Sequence, residues 1–214
     1  MTPTRQARLA GLLYVLLTVL GGWAQLSARG RVHDAADLAA NEGVLRLGLA
    51  ADIGMAATFV ALGWVLYNLL YTAHPRAATA LFVFVCVGAG SILLNLTFHA
   101  GALIADDPAE RLLLLDLHAA GYTLCGVFFG LWLVPLGTVG WRGELFPRWL
   151  GALLIAGGGA WLADPVLHFV AEPAQSVTAA ITTVAELSLI PYLLIRGVRT
   201  PASKPRPQEA PQTA

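Results

Sequence analysis

Long apolar stretches separated by short polar connections dominate the pattern along this chain. Six stretches contain no Lys or Arg, and each is long enough for a helix to cross the hydrocarbon core of a bilayer, which takes about 20 residues. They cover residues 9–28, 47–72, 77–104, 112–139, 149–171 and 174–195. The pattern predicts an all-α polytopic membrane protein, a bundle of six transmembrane helices within residues 1–199.

Two of the six stretches have a second interpretation. Arg5 and Arg8 precede the first stretch, as in a secretory signal, but its apolar run exceeds the roughly 7–15 residues of a signal core. The fifth stretch contains Gly157–Gly159 and Pro165, which weaken a helix in water. Neighbouring helices can satisfy the freed backbone groups in a membrane, so we expect both stretches to span.

Composition and charge agree with a membrane protein and set its orientation. Only 12% of residues are charged, against roughly 25% in a soluble domain. The net charge is zero without a basic stripe, which argues against nucleic acid as a partner. Nine Lys and Arg fall on the side of the termini and four on the other, which predicts an N-in/C-in topology. Residues 200–214, rich in Pro, are predicted to form a disordered cytoplasmic tail.

Ionisable residues inside the spans are the candidate functional groups, because a charge at the bilayer centre costs at least roughly 2.5–3.5 kcal/mol. With the predicted orientation, six of seven lie towards the outer side, and Glu186 lies roughly 15 Å deep. Helical spacing places Ser91, Asn95 and His99 on one face. The predicted pocket for a substrate or proton comprises Asp52, Ser91, Asn95, His99, Asp116, His118, Tyr122, Asp164, His168, Thr182 and Glu186.

Structural explanations compete with this pocket at several positions. Asp116 and His118 lie close to Arg111, in a region that could meet the lipid headgroups. Asp164 and His168, four residues apart, could satisfy the backbone around Pro165. Glu186 is the hardest of the candidates to explain structurally, since it lies in mid-span on a Thr-lined face. No catalytic residue is assigned from the sequence.

Several segments together resemble one known family. They are Ala7–Tyr14, Leu45–Asp52, Leu115–Tyr122 with Val127–Gly130, and Phe146–Gly151. As a set they are similar to the bacterial membrane proteins catalogued as domain of unknown function 4386. The resemblance implies a multi-helix bundle in the bacterial cytoplasmic (inner) membrane and draws attention to Asp52, Asp116 and His118. It implies no activity, because the family has none established.

Four functions stay open at this point. Small-molecule binding or proton-coupled transport through Glu186 ranks first, and a non-catalytic scaffold second. A metal-dependent hydrolase would use His99, Asp164 and His168 as zinc ligands. Haem or quinone redox chemistry ranks last, with axial ligands among His99, His118 and His168. A function other than catalysis is therefore favoured.

No cofactor is firmly implied by the sequence, and zinc and haem are the candidates. The expected partners are the lipid bilayer, a small molecule or proton, and a second copy of the chain in a homodimer.

Overall fold

The computed structural model of the protein describes residues 1–143, 145–170 and 175–198, and all regular structure within them is helical. Seven α-helices follow in order: α1 Pro3–Trp23, α2 Ala35–Ala40, α3 Glu42–Leu70, α4 Pro75–Ile104, α5 Pro108–Trp141, α6 Arg148–Val170 and α7 Gln175–Pro191. α1 continues through a π-helical turn, Ala24–Ala28, and a 3-10 turn, Arg29–Arg31. α7 continues as the π-helical turn Tyr192–Arg196. The tail predicted for residues 200–214 lies outside the described residues.

Six of the helices are long and apolar enough to cross a membrane, which confirms the predicted class. Their side chains are apolar on both sides: Leu62 and Leu133 are fully buried, whereas Leu94 and Leu113 are exposed. An apolar exterior of this kind suits a surrounding of lipid tails rather than water. The chain is therefore a multi-pass membrane protein in a lipid bilayer. The short α2 lies in the connection between the first two spans.

Each spanning helix packs against the next one in the chain, and the last returns to α1, which closes the bundle. The closest pairing joins α5 to α6, where a Cβ atom at Gly130 would lie 2.5 Å from the Gly158 carbonyl oxygen. Helices in membranes associate closely through such small residues, since backbone contact replaces the missing hydrophobic drive. α6 runs unbroken through Gly157–Gly159 and Pro165, as predicted for the fifth span.

The two ends of the bundle differ in chemistry. At one end, where α1 begins and α7 ends, the core is apolar and includes Leu70, Phe146 and Leu193. At the other end, which we call the polar end, α3 and α5 begin and α4 ends. Arg111 joins these three helices there: its Nε donates to the Ala102 carbonyl at 2.7 Å, and its Nη2 lies 3.7 Å from Glu42 Oε2. The candidate functional residues lie between the polar end and the middle of the bundle.

Candidate metal centre and adjoining cavity

Three side chains of metal-ligand type meet inside the polar half of the bundle. Asp52 comes from α3, His99 from α4 and His118 from α5, and all three are fully buried. One potential ligand atom from each lies within 4.8 Å of those of the other two. The two imidazole rings are 5.4 Å apart between centroids and are steeply tilted. We call these three residues the Asp–His cluster.

Arg29 completes the environment of the cluster from the end of α1. A Cβ atom at Gly48 would lie 2.7 Å from the Ala28 Cβ, so only glycine on α3 lets the π-helical turn approach this closely. Gly48 and Asp52 lie one helical turn apart, and the approach lets the Arg29 guanidinium form an ion pair with Asp52 Oδ2. Gln25 fixes Arg29 from its other side, since Gln25 Oε1 accepts from Arg29 Nη2 at 2.9 Å and from Nε at 3.1 Å. π-Helical turns of this kind occur frequently at functional sites.

Asn95 fixes the orientation of His118. The Asn95 side-chain amide donates to the His118 carbonyl at 2.9 Å, and His118 Nδ1 lies 3.2 Å from Asn95 Nδ2 and 3.3 Å from the Asn95 carbonyl oxygen. With the proton on Nδ1, the ring donates to that carbonyl and keeps the Nε2 lone pair available. Gly121 makes this arrangement possible, because a Cβ atom there would overlap the Asn95 amide. A hydrogen bond from the non-ligating ring nitrogen to a carbonyl is the usual support of a metal-binding histidine.

Buried polar atoms of the cluster lack hydrogen bonds to the described residues. They are Asp52 Oδ1, His118 Nε2 and both ring nitrogens of His99, although the Leu45 carbonyl is near enough to interact with His99. Each buried polar atom without a partner costs roughly 1–3 kcal/mol, and native proteins contain few of them. A concentration of such atoms on three adjacent side chains makes this position a candidate site for a ligand atom or an ion.

The donor set fits a borderline metal ion such as zinc. Zinc binds imidazole nitrogen and carboxylate oxygen at about 2.0–2.2 Å, and catalytic sites use three protein ligands with one position left open. Tetrahedral ligands at that distance are about 3.3 Å apart, so ligand atoms that lie within 4.8 Å of one another would have to close by up to about 1.5 Å. The Arg29 ion pair leaves Asp52 Oδ1 available and provides the hydrogen bond that a ligating carboxylate usually receives.

A cavity of about 90 Å³ adjoins the cluster in the middle of the bundle. All six spanning helices contribute to its lining, which is mostly aromatic and contains one carboxyl group, that of Glu186. Trp161 Nε1 donates to Glu186 Oε1 at 2.7 Å, and the Tyr14 hydroxyl also interacts with this carboxyl group. Tyr122 lies between the two regions: it lines the cavity, and its ring is 6.2 Å from that of His118.

The structure distributes the other predicted pocket residues among separate places. Asp164 accepts a hydrogen bond from Thr178, and both line a groove between α6 and α7 with Thr182, whose hydroxyl donates to the Ala179 carbonyl at 3.0 Å. The His168 ring lies edge-on to Phe169. Of the three predicted zinc ligands, only His99 belongs to the Asp–His cluster; Asp164 and His168 do not.

Two further predicted positions lie apart from the cluster. Asp116 is exposed, because it is two residues from His118 and therefore on the opposite side of α5. The Ser91 hydroxyl donates to the Val87 carbonyl of its own helix at 2.9 Å. Asn95 and His99, which share its predicted face, both reach the cluster.

Sequence reasoning missed three residues of these sites. Arg29 was counted only as a loop charge, although its position after an apolar run and near the depth of Asp52 was a usable signal. Tyr14 and Trp161 approach Glu186 from two other helices, α1 and α6, and nothing in their local sequence indicates a polar partner.

A helical bundle with a buried Asp–His cluster and a Glu-containing cavity defines a class, that of multi-pass membrane proteins with polar groups built into the bundle interior. The family model described as "Domain of unknown function (DUF4386)" matches residues 9–197. The chain therefore belongs to this family, as its resemblance predicted. No curated protein and no solved structure matches the chain.

Proposed function

We propose that this protein is a membrane-embedded metal-dependent hydrolase with a zinc-type centre at Asp52, His99 and His118. The observation that supports this proposal is the group of buried ligand atoms without partners on three adjacent side chains. Asn95 and Arg29 act as supports for His118 and Asp52 and do not bind the metal themselves.

The charge balance of the centre favours hydrolytic chemistry over a purely structural metal. Two neutral imidazoles and one carboxylate would bind a divalent ion while Arg29 adds a further positive charge, which leaves an excess of about two positive charges in a buried place. With a metal bound, such an excess of positive charge would favour ionisation of a coordinated water, which is how such centres supply a strong nucleophile. A structural zinc site would instead have four protein ligands.

The reaction class follows from these groups. Asp52, His99 and His118 would hold the metal, which would supply an activated water molecule for attack on the carbonyl carbon of an ester or amide, with one proton of that water released. Arg29 lies beside the centre and can stabilise the negative oxygen that develops on the carbonyl. The bond to the alcohol or amine then breaks, and the leaving group takes up a proton. Water is the second substrate, and the products are a carboxylic acid and an alcohol or amine.

The test is hydrolysis of fluorogenic acyl esters and amides of graded chain length by the purified, zinc-loaded protein in detergent. We expect turnover by the wild type that is removed by a chelator and restored by zinc. His118→Ala should abolish it, whereas His168→Ala, a histidine outside the cluster, should retain it. Equal activity in both variants, or activity that resists the chelator, would reject the proposed function.

A second candidate function is favoured by the cavity at Glu186. The cavity is lined by all six spanning helices and contains a carboxyl group already oriented by Trp161. These features support reversible binding of a small molecule, with transport coupled to a proton as the extended form of the hypothesis. This candidate depends on the cavity alone and is independent of a metal.

A further inference from the structure

Glu186 accepts a hydrogen bond from Trp161 inside the bundle but has no positive partner within the described part of the chain. Trp161 Nε1 donates to it at 2.7 Å, and the Tyr14 hydroxyl is its other polar neighbour. Neither residue is charged, and no ion pair joins Glu186 to a described Lys, Arg or His. Glu186 is partly buried and lines the cavity. An ionised carboxyl group within a membrane span normally has a partner of opposite charge, so a cation is the complementary occupant of the cavity.

The walls of the cavity distinguish between kinds of cation. Edge-to-face contacts connect Tyr14, Trp132, Phe59 and Phe129 in sequence, with centroid separations of 5.6–5.9 Å. Trp161 continues this array, 5.3 Å from Phe129. Apart from the Tyr14 and Tyr122 hydroxyls, the aromatic walls provide no oxygen ligands, whereas a small inorganic ion takes six or more. Ring faces attract alkylammonium groups and contact their methyl groups.

Size is the remaining constraint. The cavity measures about 90 Å³, and one water molecule takes about 10–15 Å³ by the same measure. The space therefore fits a compact organic group of a few carbon atoms. Leu17, Ile92 and Met55 supply the aliphatic and thioether part of the wall against which such a group would pack.

We propose that the cavity binds a small alkylammonium ion, with its nitrogen at the Glu186 carboxylate and its alkyl groups against the aromatic array. The inference rests on the second candidate function, the small-molecule cavity, and names its ligand class. It requires no metal at the Asp–His cluster.

The experiment compares two probes of the same shape, tert-butylammonium and the neutral tert-butanol, by calorimetric titration of the purified protein at constant ionic strength. We expect the wild type to bind the ammonium ion at least about tenfold more tightly than the alcohol. Glu186→Gln keeps an acceptor for Trp161 but removes the charge, and should abolish this preference. Glu110→Gln, at an exposed carboxyl group on α5, is the matched control and should retain it.

Each other outcome has a definite meaning. Equal binding of both probes by the wild type would support a small-molecule cavity and overturn the ammonium assignment. Binding of neither probe would overturn both the small-molecule cavity and the ammonium assignment. In that case, an infrared carbonyl band of a protonated carboxylic acid that disappears in Glu186→Gln would identify a proton as the partner of Glu186 instead. The wild-type comparison needs no variant, so it stands even where Glu186→Gln does not fold. His118→Ala should retain ammonium binding, which separates this inference from the metal centre.

Discussion

The α6–α7 groove and the Asp–His cluster each place a carboxyl group among polar side chains between packed helices. They differ in how many of their polar atoms have hydrogen-bond partners. At the α6–α7 groove, Asp164 is partly exposed and accepts a hydrogen bond from Thr178. In the Asp–His cluster, Asp52 is fully buried, and only one of its oxygens has a partner, Arg29. The two histidines beside Asp52 add further atoms without partners.

The difference separates a polar contact whose groups satisfy each other's hydrogen bonds from one whose unpaired atoms need a ligand. A hydroxyl and a partly exposed carboxyl group that bond to each other require nothing more, and such a contact serves helix packing. Fully buried ligand atoms that point at one another are costly unless something binds between them. Depth along the helix does not distinguish the two cases, but the hydrogen-bond inventory does.

Removal of the Asp52 carboxylate should have the largest effect. Asp52→Ala leaves Arg29 buried without its counter-charge and removes one proposed ligand, so we expect a loss of about 3–5 kcal/mol in the free energy of unfolding. Unfolding in detergent, followed by circular dichroism, measures this loss. Asp164→Ala should cost only about 1 kcal/mol. Equal costs would erase the distinction between the two contacts.

The second largest effect should be the stabilisation of the folded protein by metal binding at the Asp–His cluster. Free zinc at a hundred times its dissociation constant would stabilise the wild type by about 2.7 kcal/mol. The melting temperature with zinc and with a chelator measures this effect, and His99→Ala should remove it. A zinc-dependent shift of the same size in His99→Ala would place the metal elsewhere.

Loss of the Asn95 side chain should weaken the site without destroying it. Asn95→Ala removes the amide that holds the α4–α5 contact at His118, so metal affinity should fall about 10–100-fold, the usual effect of a supporting residue. Competition with a chromophoric chelator measures the affinity. Ser91→Ala is the matched control, because Ser91 lies one turn away on the same predicted face but bonds only within α4. A comparable loss in Ser91→Ala would indicate a general effect on α4.

The smallest change in stability should follow a conservative substitution at the α6–α7 groove, where Asp164 already has a hydrogen-bond partner. Asp164→Asn keeps a carbonyl oxygen that can accept from Thr178, so stability should change by about 0.5 kcal/mol or less. Zinc affinity should match the wild type in the same chelator competition. A fall in affinity would show that Asp164 belongs to the centre after all.

The sequence predicted the six spanning helices because the length of an apolar run determines whether a helix can cross a bilayer. It also placed Asn95 and His99 on one face, and the two-residue spacing of Asp116 and His118 is enough to put them on opposite sides of a helix. These predictions need only the geometry of a single helix. The family was recognised from short segments spread along the chain, and the family model confirms it.

The combination of residues into sites depends on rotation of each helix against its neighbours, which one sequence does not specify. His99, Asp164 and His168 lie at similar depth, so depth alone could not show that His99 faces Asp52 and His118 instead. Arg29 joins the cluster because a π-helical turn packs against Gly48, a contact between distant parts of the chain. The sequence also singled out Glu186 as a candidate, but its contact with Trp161 depends on how α6 packs on α7.

The most direct test of the account is elemental analysis of the purified wild type beside His118→Ala and His168→Ala. The account predicts about one zinc-type ion per chain in the wild type and in His168→Ala, and loss of that ion in His118→Ala. A folded wild-type protein without bound metal after incubation with zinc would contradict the proposed centre. Retention of the metal in His118→Ala with its loss in His168→Ala would contradict it equally, and would favour the ligand set of His99, Asp164 and His168.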